Sequence, residues 1–161
     1  MNTAITSTRR TGRRRLAALA LGVAILPWSL VVQGARPRPR LTLWRDPDCG
    51  CCHLWAKHLE AHQFDVEVRD VSDADGLRRR LGLPPRLTSC HTATVEGYVI
   101  EGHVPTADIL RLLRERPHAL GLAVPGMPIG SPGMESGTTR DPYDVLLVHR
   151  DGGSSIFKTY R

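Results

Sequence analysis

The apolar run Leu41-Thr42-Leu43-Trp44 predicts a first strand. Asp46-Pro47-Asp48 follows as turn chemistry, with Asp48 placed to cap a helix. From about Cys51 to His62, Leu54, Trp55, His58, Leu59 and His62 recur at three- and four-residue spacing, so this stretch predicts a helix. Phe64 to Val71 alternates Val66 and Val68 against polar neighbours, as a second strand does. Asp73 to Leu81 predicts a short helix stopped by Gly82 and Pro84-Pro85. Thr92–Val95 and Tyr98–Ile100 flank Glu96-Gly97 and predict a hairpin. Thr106 to Arg116 carries an Ile109, Leu110, Leu112, Leu113 stripe and predicts a helix capped by Thr106. A Gly/Pro-rich stretch from Gly121 to Gly137 shows no period. Tyr143–Val148 and Ser154–Tyr160 then flank Asp151-Gly152-Gly153 as a second hairpin. The order is strand, helix, strand, helix, hairpin, helix, hairpin. This predicts an α/β fold, a thioredoxin-like sandwich with an added C-terminal hairpin.

The first 35 residues have a different pattern. Leu16 to Val32 is apolar apart from Gly22, Pro27 and Ser29, and Arg9, Arg10, Arg13, Arg14 and Arg15 precede it. A basic region, an apolar region and small residues near Gly34-Ala35 describe an export signal. The alternative is an uncleaved membrane anchor, although the apolar run falls short of the ~20 residues a spanning helix needs. The expected organisation is an export signal or anchor over residues 1–35, a stiff linker Arg36-Pro37-Arg38-Pro39-Arg40, and a folded domain over 41–161. Export implies a periplasmic location, where thiols tend to pair.

Charge changes the picture little. The formal net charge is +6, but without the five early arginines the 22 basic residues fall to 17, against 16 acidic. A nucleic-acid surface needs clustered positive charge on the folded domain, so nucleic acid is excluded as the expected partner. A glycine-rich phosphate loop, a Ser/His/Asp arrangement and metalloprotease spacing are all missing.

The chemistry concentrates in Cys49-Gly50-Cys51-Cys52, three thiols within four residues at a strand-to-helix turn. Cys49 and Cys52 have the C-x-x-C spacing of a redox pair, and the start of a helix favours thiolates. A redox dithiol needs two sulfurs; three soft donors suit Cu(I) or another thiophilic ion. The plainer reading is a disulfide staple with a spare thiol. Cys90, in Ser89-Cys90-His91-Thr92 before the third strand, falls where a thioredoxin-like chain passes its active-site turn, and would bring a fourth sulfur and an imidazole. His103, in Gly102-His103-Val104-Pro105, is a loop ligand candidate. Met127 and Met134 sit in near-repeated Pro-Gly-Met contexts, and thioethers bind Cu(I) well and Zn²⁺ poorly. A methionine filling an apolar gap is the competing explanation. His91, His103, Met127 and Met134 are therefore candidates for outer ligands or for entry of the ion.

Taken together, Asp-Pro-Asp-Cys-Gly-Cys-Cys, Leu-Gly-Leu-Pro-Pro, Ser-Cys-His-Thr, Gly-Tyr-Val-Ile-Glu-Gly-His-Val-Pro and the two Pro-Gly-Met turns resemble an uncharacterised-domain family of exported metal-binding proteins. That family includes the CopG-like copper-resistance proteins, and the resemblance covers about residues 41–161. It implies a thioredoxin-like fold, a periplasmic location, a copper–thiolate site for one or several ions, and a role in copper tolerance through Cu(I)/Cu(II) chemistry. The family's Cys-x-Cys-Cys falls on Cys49, Cys51 and Cys52, and its distal cysteine on Cys90. Periplasmic copper efflux or oxidase proteins are the implied partners. A copper oxidoreductase is the enzymatic candidate. A metal-free thiol–disulfide oxidoreductase using Cys49 and Cys52, and a passive copper or zinc scavenger, remain the rival readings.

Overall fold

In the computed structural model, Met1 and residues 37–161 are described. The expected export signal or anchor, and Arg36 of the expected linker, lie outside the described residues. Among the described residues no helix is long and apolar enough to cross a membrane.

Leu41 and Leu43 point to one face of β1 (Arg40–Arg45), which the turn at 46–49 leads into α1 (Gly50–Ala61). The chain returns as β2 (Asp65–Asp70), parallel to β1, so the opening is a β-α-β unit. α2 (Ala74–Leu81) starts at Asp73, whose carboxylate accepts the Gly76 N–H at 2.7 Å, and ends at Gly82 in the left-handed conformation. β3 (His91–Val95) and β4 (Tyr98–Glu101) form the expected hairpin, and β3 runs antiparallel to β1. α3 (Thr106–Glu115) is followed by β5 (Gly121–Ala123), β6 (Tyr143–Val148) and β7 (Ser154–Tyr160). One seven-stranded sheet results, in the order β2-β1-β3-β4-β5-β6-β7.

Strand alternation separates the sheet into two faces. Leu41, Leu43, Ala93, Ile100 and Leu122 bury with Trp55 and Leu59 of α1 and Ile109 and Leu112 of α3. Val99, Ala123 and Val148 bury instead with Leu83 and Leu87. The C-terminal hairpin extends the sheet and is pinned to α3. Tyr160 donates to Asp108 Oδ2 at 2.7 Å, and the Arg111 guanidinium lies 4.1 Å from the centre of the Phe157 ring.

Three local expectations differ. Cys49, not Asp48, is the residue preceding α1; the Asp48 N–H is taken up by Asp46 Oδ1 at 2.9 Å in a tight Asx turn. Pro105 takes the cap position of α3, and Thr106 is its first helical residue, its hydroxyl 3.3 Å from His58 Nε2. Gly121 opens a strand instead of a loop. A Cβ there would lie 1.7 Å from the Val99 carbonyl oxygen, so glycine allows the close approach of β4 and β5.

Candidate metal centre

The four cysteines meet at the end of β1. Cys49 and Cys52 are joined by a disulfide. Cys51 Sγ lies 3.5 Å from Cys49 Sγ and 3.7 Å from Cys90 Sγ, and Cys52 Sγ lies 3.7 Å from the Cys90 carbonyl oxygen. The turn itself produces this cluster. Asp46 accepts the N–H groups of both Asp48 and Cys49, so the chain reverses within four residues and begins α1 on the cysteines. Cys52 faces inward and is fully buried, whereas Cys51 and Cys90 keep partial exposure.

Cys90 precedes β3, the strand beside β1, where His91 pairs with Arg45, and is held by an ionic clamp. Glu101, 0% exposed, receives Arg78 Nε at 3.0 Å and the Ser89 N–H at 2.6 Å on Oε1, and the Thr92 hydroxyl at 2.6 Å on Oε2. Arg78 Nη2 donates to the Ser89 carbonyl at 2.7 Å. Burial pushes the Glu101 carboxyl upward, and the donors from Thr92, Ser89 and Arg78 oppose that shift. Residues 89 and 92 are thereby fixed on both sides of Cys90-His91. Neither Arg78 nor Glu101 figures in the sequence reading. The available signal is an acid at the end of the apolar strand Tyr98-Val99-Ile100-Glu101, a position that requires a buried partner.

Two imidazoles converge on Cys90. His91 Nδ1 is 3.3 Å and His103 Nε2 3.1 Å from its sulfur. The His91 ring packs 4.4 Å from Trp55 and 4.9 Å from His103, measured between ring centres. Burial, then the neighbouring His103, lowers His91 to about 3, and burial lowers His103 also, so both rings are neutral at physiological pH. Burial, with Cys51 adding to it, pushes the Cys90 thiol up to about 12 in the metal-free protein. A bound cation would displace that proton.

The ligand atoms of Cys49, Cys51, Cys52 and Cys90 lie within 4.8 Å of one another, and those of Cys90, His91 and His103 form a second such group. Cys90 therefore meets the cysteine turn, and His91 and His103 meet Cys90. The Gly/Pro-rich segment packs over the same region. A Cβ on Gly133 would fall 2.7 Å from the Trp55 backbone nitrogen and 3.1 Å from the Cys51 carbonyl oxygen. Ser89 donates its hydroxyl to the Gly126 carbonyl. Met134 lies in this segment, its carbonyl accepting the Gly130 N–H at 2.9 Å. Met127 is 54% exposed and lines an open groove of about 590 Å³ with Pro125, Pro128 and Tyr143. The donor set is soft, close-spaced and partly exposed, which fits a thiophilic ion.

The family described as "Protein of unknown function, DUF411" matches residues 87–134. No curated protein matches the chain. Two solved structures do. "Copper resistance protein copG- Form 2" is 47% identical, with a TM-score of 0.74, covering 77% of this chain and 99% of its own. "Copper resistance protein copG- Form 1" is 48% identical, with a TM-score of 0.73, covering 77% of this chain and 98% of its own. Such identity, sustained over nearly the whole of both copper-resistance chains, establishes that this chain belongs to the CopG-like copper-resistance family.

Proposed function

We propose that this is an exported, periplasmic copper protein of copper resistance, with a thioredoxin-like domain that binds Cu(I) on the thiolates of Cys49, Cys51, Cys52 and Cys90. The observation that carries the reading is the meeting of four sulfurs from two distant segments, with Cys51 within 3.7 Å of both Cys49 and Cys90. Thiolates select Cu(I), and sulfurs this close can bridge several ions. His91, His103, Met127 and Met134 serve as outer ligands or as the entry path. The family likeness to copper-resistance proteins supports copper as the cargo.

The Cys49–Cys52 disulfide supplies a redox partner for that cargo. In the reduced protein, two Cu(II) ions take one electron each from the two thiolates; the sulfurs join, and two Cu(I) ions result. Reduction of the disulfide by an exported dithiol resets the site. Periplasmic copper efflux or oxidase proteins would take the ion onward.

The test is the copper stoichiometry of the reduced protein, loaded anaerobically with Cu(I). More than one ion per chain, reduced by Cys90→Ser, supports a shared sulfur site. Absence of tight copper binding together with rapid reduction of disulfides in a test protein overturns it. That second outcome would favour a metal-free thiol–disulfide oxidoreductase, the reading to which the Cys49–Cys52 bond alone would point. Equal preference for Zn²⁺ would favour a passive scavenger.

A further inference from the structure

We infer that His58 and His62, one turn apart on α1, chelate a Cu(II) ion at a site separate from the cysteine cluster. The inference rests on the copper reading only for the identity of the ion, and it does not need the four-sulfur site.

Helix geometry is the first ground. Residues four apart share one face of a helix, and two histidines in that register can hold one ion between their rings. The His58 and His62 rings lie 4.4 Å apart, centre to centre, with their planes inclined by 42°. Metal–imidazole bonds of about 2.0–2.1 Å put each ring centre about 3.2 Å from the ion, so two imidazoles at about 90° in a tetragonal Cu(II) site have centres about 4.5 Å apart. The tetrahedral angle of Zn²⁺ would spread them to about 5.2 Å. The two rings already stand at the spacing of adjacent tetragonal positions.

The second ground is the proton inventory. The His58 carbonyl can only accept, so His62 Nδ1, 2.7 Å from it, carries the hydrogen and Nε2 keeps its lone pair. His62 is exposed, and ions from solvent can reach it. On His58 the Thr106 hydroxyl, 3.3 Å from Nε2, can accept a hydrogen there, which leaves the lone pair on Nδ1. Each ring thus has a polar anchor on one nitrogen and a free donor on the other, the arrangement that orients metal-binding imidazoles. Burial, then the neighbouring His62, lowers the His58 imidazole from its ordinary value, so that ring is neutral at physiological pH.

Electrostatics is the third. The pair closes the C-terminal end of α1, with His62 in the cap position, and the last carbonyls of a helix carry partial negative charge. The exposed Glu135 carboxylate adds a negative charge that acts on His58. Both favour a cation at this end of the helix. His58 follows Cys52 on the same helix by six residues, a rise of about 9 Å. An ion collected here waits within two helical turns of the thiolates that would reduce it.

The experiment uses full-length Cys51→Ser/Cys90→Ser protein, oxidised so that Cys49 and Cys52 are joined and no free thiol can reduce Cu(II). Cu(II) is added below one equivalent. The expected electron paramagnetic resonance spectrum is tetragonal, with coupling to two imidazole nitrogens. In proton spectra of the same protein, the imidazole signals of His58 and His62 should broaden before those of His53, His91, His103, His118 and His149. His62→Gln should weaken Cu(II) binding at least tenfold, whereas His53→Gln, an exposed histidine of the same helix, should leave it unchanged. The broadening measurement keeps every histidine and decides the matter even if His62→Gln does not fold. First broadening at any other histidine, coupling to fewer than two imidazoles, or unchanged affinity in folded His62→Gln protein overturns the inference. Cu(I) stoichiometry of the reduced wild-type chain is measured separately, so the histidine pair and the sulfur site can each fail alone.

Discussion

Arg78 and Glu101 form a buried ion pair, with Nε 3.0 Å from Oε1, directly behind the segment that carries Cys90. Glu101 is 0% and Arg78 8% exposed, and the pair holds Ser89 and Thr92 by three further bonds. Removing one member of a buried pair leaves the other charge uncompensated, which costs about 3–5 kcal/mol. Glu101→Leu should lower the unfolding free energy by about that amount, measured by urea denaturation. Adding Arg78→Met should recover part of the loss, because it removes a buried guanidinium that would keep only the exposed Asp75 as its partner. In folded Glu101→Gln protein, Cys90 should alkylate faster than in wild type, since Ser89 and Thr92 lose their shared anchor. An unchanged Cys90 rate would mean that the pair only supports the core.

Much of this architecture is legible in the chain. Alternation of Leu41 and Leu43, the Asp73 and Gly82 signals of α2, and both hairpin turns rest on local chemistry, and local chemistry is what sequence displays. The cysteine turn and Cys90 were also readable, because redundant thiols have few other uses. β5 was not: Gly121 carries a turn residue's identity, and its strand character comes from contact with Val99 across the sheet. The Arg78–Glu101 clamp joins residues 23 apart, and Pro132 orients His103 from 29 residues away. No local pattern encodes pairings at those separations.

Tyr143 and Tyr160 stack with ring centres 4.9 Å apart, and Tyr160 donates to Asp108. Burial, then the negative charge of Asp108, pushes Tyr143 up to about 12; burial, then the Asp108 bond, pushes Tyr160 above the ordinary tyrosine range. Raised folded-state values favour the protonated hydroxyl in the native protein. The native state therefore holds more protons than the unfolded chain once pH passes about 10, and stability falls from there as pH rises through the folded values. Tyrosinate absorbance should show these two groups ionising late. Tyr160→Phe should flatten the alkaline loss of stability.

Gly133 rests on the backbone of α1 beside the cysteine turn. Its φ is +83°, and a Cβ would lie 2.7 Å from the Trp55 nitrogen. Gly133→Ala carries a left-handed penalty of about 1–2 kcal/mol and an overpacking cost of about 1–3 kcal/mol. Gly137, at φ +53°, has nothing within 4 Å of its would-be Cβ. Gly137→Ala should therefore show the backbone penalty alone. The difference between the two melting temperatures measures how tightly the Gly/Pro-rich segment is seated on α1. Only Gly133→Ala should also change the alkylation rate of Cys51, whose carbonyl would lie 3.1 Å from the new methyl.

Trp55 joins α1 to the histidine loop. Its indole N–H donates to the Val104 carbonyl at 3.0 Å, and its ring packs against His91. Trp55→Phe keeps an aromatic surface but leaves the buried Val104 carbonyl without that donor. The expected cost is about 1–3 kcal/mol for the unpaired carbonyl, with a further loss for the space vacated. His91 packs on the ring that shrinks, so its environment should change more than that of His103, which keeps its bond to Pro132. Imidazole proton shifts of the two histidines in the Trp55→Phe protein provide the check. Equal shifts at both rings would show that Val104, not the Trp55 ring, governs the geometry around Cys90.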